Sequence, residues 1–83
     1  MNRVKIISYP NVDLKLLRRS LFDFYELKRS EEGDSDGSMR IFLHEIQNKR
    51  IEITSDKYST DQLIDHVKFA LQNYTGWKIS VLN

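Results

Sequence analysis

The sequence predicts an α+β fold with the element order βαββαβ. Three observations carry that expectation. Four short runs rich in β-branched and aromatic residues read as strands. Two longer stretches repeat their apolar residues at helical spacing. Polar breaks, three of them bearing Gly or Pro, separate the segments from one another.

The first strand is Arg3-Val4-Lys5-Ile6-Ile7-Ser8-Tyr9, and Pro10, which lacks an amide donor, stops it. Asn11 or Asp13 then caps a helix, since either side chain offers an oxygen to the free amides of a first turn. Leu14, Leu17, Leu21, Phe24 and Tyr25 share one face of that helix, which is expected over about 12–30. Glu31-Glu32-Gly33-Asp34-Ser35-Asp36-Gly37-Ser38 follows as a polar loop. Met39 to Ile46 and Arg50 to Thr54 form a hairpin that turns through Gln47-Asn48-Lys49, where Asn tolerates a positive φ. Ser59 or Thr60 opens a second helix over about 60–75, and Ser59 with Gln62 has the spacing of a capping box. Its inner face is Leu63, Ile64, Val67, Ala70, Leu71 and Tyr74, and Gly76 supplies a left-handed stop. Trp77-Lys78-Ile79-Ser80-Val81-Leu82 alternates as the last strand.

That order is the ferredoxin-like, split βαβ arrangement. Right-handed crossovers place both helices on one face of a four-stranded antiparallel sheet and leave the other face open. Leu17, Leu21, Ile6, Val67 and Ile79 are expected in the core. At 83 residues the chain reads as one domain, residues 1–83, with a thin core.

Composition narrows the chemistry. There is no cysteine, so disulfides, thiolate–metal sites and thiol nucleophiles are excluded. A small secreted domain normally carries such staples, so a cytoplasmic location is expected. MNRVKIISYP lacks the apolar core of a signal peptide, and no stretch approaches the roughly 18 apolar residues of a membrane span. Asn73-Tyr74-Thr75 matches a glycosylation sequon, which has no meaning inside the cell. The net charge is +1, but residues 1–30 hold seven Lys/Arg against three Asp/Glu, while Glu31, Glu32, Asp34 and Asp36 follow together. A general polyanion binder would be more basic overall, though a local basic face is compatible with these numbers.

Catalytic and metal motifs do not assemble. Asp34-Ser35-Asp36-Gly37 is similar to the start of a calcium loop, but the third oxygen ligand and the closing Glu are missing, which favours a solvated acidic loop. His44 stands beside Glu45, which points to the opposite face of a strand, and His66 has no second nitrogen ligand at helical spacing. No serine sits in a Gly-x-Ser-x-Gly turn, and glycines at 33, 37 and 76 build no phosphate loop. No cofactor, metal or small-molecule ligand is expected, and the reading is non-enzymatic. The aromatic residues that mark an RNA-recognition module are absent from Arg50-Ile51-Glu52-Ile53-Thr54.

The informative surface is the open sheet face. With Val4, Ile6, Trp77, Ile79 and Val81 turned to the helices, Arg3, Lys5, Ile7, Tyr9, Lys78, Ser80 and Leu82 face outward. A hairpin loop of odd length buries Ile41 and Leu43 with Ile51 and Ile53 and exposes Arg40, Phe42, His44, Ile46, Arg50 and Glu52. A two-residue loop reverses the first of these strands and opposes Glu45 to Glu52. Either way Met39 to Ile46 is apolar on both sides, which suits a strand covered by a partner or a second copy. Leu16, Phe22, Leu27 and Phe69 lie off the helical core stripes, to be absorbed by strand ends and loops or to extend a binding surface. The expected function is therefore a protein-interaction module, a small regulator, inhibitor or subunit, whose partner surface comprises Lys5, Ile7, Tyr9, Arg40, Phe42 and His44. The partner is a protein, or a second copy in a homodimer, with no membrane involved. The alternative is a nucleic-acid binder that uses Arg3, Lys5, Arg40, Arg50 and Lys78 around Tyr9 and Phe42.

Overall fold

The computed structural model describes residues 2–9, 12–27, 34–35, 39–44 and 49–82. Its elements run β1 (Asn2–Ser8), α1 (Leu14–Tyr25), β2 (Asp34–Ser35), β3 (Met39–His44), β4 (Arg50–Ser55), α2 (Thr60–Ala70) and β5 (Trp77–Leu82). The sheet order is β2-β3-β4-β1-β5, with every neighbour antiparallel. The four longer strands and two helices form the ferredoxin-like βαββαβ fold. The two-residue β2 extends one edge, inside the stretch expected to be loop, by pairing Asp34 with Ile41 and Ser35 with Arg40.

Register decides which face is the core. Ile41 pairs with Ile53 and Ile53 with Val4, while Leu43 pairs with Ile51 and Ile51 with Ile6. Because side chains alternate across a strand, these rows all point to the helices. Val4, Ile6, Ile41, Ile51 and Ile53 are wholly buried there, together with Leu17, Leu21, Leu63, Val67 and Leu71. This is the odd-loop register: His44 pairs with Arg50, leaving five residues between them. Glu45, Ile46, Gln47 and Asn48 lie outside the described residues. Ile79 and Trp77 are half-buried against the core, whereas Val81 shares their face but remains 42% exposed. Helix α2 packs over β1, so the far end of the edge strand β5 extends past that cover.

The first helix begins where Asp13 Oδ1 accepts from the backbone of Lys15 and Leu16. It ends at Tyr25 rather than near Ser30. Glu26 takes a left-handed backbone (φ 56°), its amide donates to the Asp23 carbonyl, and the Leu27 amide donates to the Phe22 carbonyl. That pair of bonds is a Schellman stop, and Leu27 folds back onto the core to complete it. Phe22, expected outside the apolar stripe, is almost fully buried. It lies eight residues after Leu14, within the broad stripe that a helix presents to a sheet, and α1 packs on β3 and β4.

The second helix has the predicted capping box: Ser59 Oγ accepts from the Gln62 amide, and Gln62 Oε1 accepts from the Ser59 amide. It ends at Ala70, with Leu71–Asn73 as a turn, so Gly76 is not its stop. Gly76 instead has φ +83° just ahead of β5, and its carbonyl accepts from the Tyr9 amide. A Cβ at Gly76 would stand 2.7 Å from Val12 Cγ2, so conformation and space both require glycine.

Candidate interaction surface

The face away from the helices is an ordered grid built by strand alternation. Its three rows read Arg40–Thr54–Arg3–Leu82, Phe42–Glu52–Lys5–Ser80 and His44–Arg50–Ile7–Lys78. Five of the twelve positions are Lys or Arg, and the single carboxylate, Glu52, lies in the middle row.

Glu52 organises its neighbours. Its Oε1 is 3.1 Å from an Arg3 terminal nitrogen, and its Oε2 is 3.3 Å from His44 Nε2 and 3.8 Å from an Arg50 terminal nitrogen. The glutamate side chain is 13% exposed against 44% for Arg3, so the acid sits below the cations that surround it. His44 is within ion-pair range but not aligned for a hydrogen bond, and Arg50 Nε has no hydrogen-bond partner among the described residues. Arg40 lays its guanidinium 4.4 Å above the Phe42 ring centroid, a cation–π contact that covers one ring face.

At the end of the grid, where β1 leaves the sheet and β4 enters it, lies an open groove of about 710 Å³. Lys5, Ile7, Ser8, Tyr9, Val12, Lys49 and Arg50 line it. Val12 and Lys49 also border a smaller hollow of about 300 Å³ toward the first turn of α1, with Asp13, Leu14, Lys15 and Leu43. Tyr9, at 54% exposed, stands free on the groove wall.

Of the six residues expected to meet a partner, Lys5, Ile7 and Tyr9 therefore line the groove. Arg40 and Phe42 lie farther off on β3, and His44, outside the lining, pairs directly with the groove residue Arg50. The apolar character of β3 on its outer side rests on Phe42 alone among the described residues. Sequence reasoning placed Glu52 on this face but missed its role as hub. The signal was present in Ile51-Glu52-Ile53, where one carboxylate interrupts two core residues and so must point outward. It also missed Lys49 and Val12, whose places depend on how the chain enters and leaves the strands.

A second cluster lies on the helical side. The Tyr25 hydroxyl and His66 Nδ1 are 3.1 Å apart, and the His66 ring meets Tyr58 edge-on at 4.9 Å and Phe24 at 5.6 Å. Burial, with a smaller contribution from Tyr58, pushes the Tyr25 phenol well above its ordinary range. The rings fill one another's space, so His66 is a packing and hydrogen-bonding residue. Phe69, 67% exposed, touches Phe24 edge-on at the rim of this cluster.

Among the described residues, no group of three or more His, Asp or Glu is placed to hold a metal ion, and no helix is long and apolar enough to cross a membrane. The acidic stretch 31–38 lies mostly outside them. In comparisons with known proteins, the chain matches no family model, no curated protein and no solved structure.

Proposed function

We propose that this protein is a non-catalytic interaction module, a small regulator, inhibitor or subunit that acts by occupying a protein partner through its open sheet face. One observation carries the reading. The grid and the adjoining groove join aromatic and aliphatic anchors (Phe42, Ile7 and Tyr9) to arginines already held in place by Glu52 and Phe42. Aromatics and Arg dominate interface hot spots, and side chains ordered before contact lose less entropy on binding.

The test is a double change, Tyr9→Ala with Lys5→Glu, in the full chain. Both residues lie outside the buried core, so the thermal melt stays near that of the unchanged protein. Capture of the partner that the unchanged protein takes from its source cell, or self-association by sizing, weakens. A folded variant with undiminished binding would place the interface elsewhere, with Leu16, Leu27 and Phe69 as the next candidates.

A nucleic-acid reading is favoured by the five Lys/Arg of the grid. Against it stand the carboxylate at the grid's centre and the Arg40 guanidinium over Phe42, where a base would stack. Retention on a polyanion column that falls steeply with salt would favour the nucleic acid.

A further inference from the structure

We propose that the groove beside Tyr9 is an acid-recognition site, which seats the carboxylates of a short acidic segment of a protein partner. This rests on the interaction-face reading above and supplies the partner's chemistry. Lys5, Lys49 and Arg50 reach the groove from three different places, β1, the turn before β4, and β4 itself. Among the described residues no carboxylate lines it, and Ile7 and Val12 give it an apolar wall. The phenol of Tyr9 adds an exposed hydrogen-bonding group. Arg50 is positioned by Glu52 at 3.8 Å, and its side chain stays 28% exposed, so part of its guanidinium is open to an incoming oxygen.

Charge distribution selects the occupant. Arg3, Lys5, Arg40, Lys49, Arg50 and Lys78 are six of the 13 Lys/Arg, while Glu52 is one of the 12 Asp/Glu. Elsewhere the described side chains include five Lys/Arg and six Asp/Glu. Among the described residues the face is thus a bounded positive patch on a nearly balanced body. A second copy approaching face to face presents like charges. A long polyanion overruns the face and meets a surface with no excess of positive charge among the described residues. A short acidic protein segment complements the face and nothing beyond it, and the field steers its approach.

The experiment titrates the isotope-labelled full chain with an end-blocked glutamate hexapeptide at about 20 mM salt, where screening is weak, and follows backbone amide resonances. Shifts are expected at Lys5, Ile7, Tyr9, Lys49 and Arg50. Lys5→Glu with Lys49→Glu should weaken binding about tenfold or more, the scale of losing close charge pairs. Arg19→Glu with Lys68→Glu, an equal change of charge on exposed helix positions, should leave binding within about twofold, since distant exposed charges are screened. Shifts spread over the helices, or none at all, overturn the proposal. Tighter binding of octathymidylate than of the peptide at the same salt also overturns it, in favour of nucleic acid. If the peptide fails while partner capture still depends on Tyr9 and Lys5, the acid site falls and the interaction face stands. Capture indifferent to Tyr9→Ala with Lys5→Glu overturns both.

Discussion

Arg3 of β1 and Glu52 of β4 meet at 3.1 Å on the sheet face turned away from the helices, a diagonal pair two residues off the direct Lys5–Glu52 pairing. The acid is shielded while its cations are partly solvated, so the cluster contributes modestly. Glu52→Gln should cost about 1 kcal/mol or less, as for part-exposed ion pairs. Denaturant melts at low salt check this, and the loss should shrink in high salt. A loss of several kcal/mol would mean that the cluster is a structural core rather than a surface arrangement.

Gly76→Ala should destabilise by about 1–2 kcal/mol, because a side chain is strained at positive φ and must also displace Val12. The two causes separate. Adding Val12→Ala removes the obstructing methyl groups, so thermal melts of the double variant should recover part of the loss. Complete recovery would show that backbone conformation contributes nothing.

Tyr25 connects stability to alkaline pH. Its folded-state ionisation is shifted upward from the ordinary value of 10.0 by burial first and Tyr58 second. The folded state therefore retains a proton that the unfolded state releases, and stability must fall as pH rises above about 10. This contribution is fully present below that value. Tyr25→Phe cannot ionise, so its melting temperature should decline less steeply above pH 10. At neutral pH the variant should lose about 1 kcal/mol with the His66 hydrogen bond. Parallel pH profiles for the two proteins would contradict the assignment.

Phe22 and Phe69 give opposite expectations for the same substitution. Phe22→Ala empties a buried site and should cost about 3–5 kcal/mol. Phe69→Ala removes an exposed ring with one edge contact and should cost about 0.5 kcal/mol, typical of surface changes. Chemical denaturation of both variants tests the burial assigned to each.

What the sequence allowed to be read divides along physical lines. Leu17, Leu21, Leu63 and Val67 were visible as core because helical spacing repeats over several turns. Ser59 and Gln62 were visible because a capping box is local. Pairing of Ile41 with Ile53 came down to the parity of one loop, a single integer that alternation alone leaves open. The stop at Glu26 was hidden because the left-handed position there holds Glu, without the Gly that normally marks it. Gly76 was correctly seen as left-handed, but its role depends on Val12 and Tyr9, far away in sequence. The six expected surface residues were chosen from strand parity, which places a side chain on a face. Parity says nothing of depth, so Glu52 as a shielded hub and Lys49 as a groove wall required three dimensions.

The position of β1 between β4 and β5 has a consequence for how the chain is made. Arg3 pairs with Leu82, and Ser8 with Trp77. Synthesis delivers β1 before either of its neighbours, and it must wait for both. When β4 emerges from the ribosome, one side of β1 can pair; the other stays bare until Trp77–Leu82 follows. A nascent chain that has emerged only as far as Gly76 therefore exposes an unpaired strand edge, with Val4 and Ile6 only partly protected. Such edges recruit strands from other chains. Pairings between residues so distant in sequence also form slowly, because the intervening chain must first be ordered. The seam between β1 and β5 is thus the point at which translation rate, folding rate and aggregation compete.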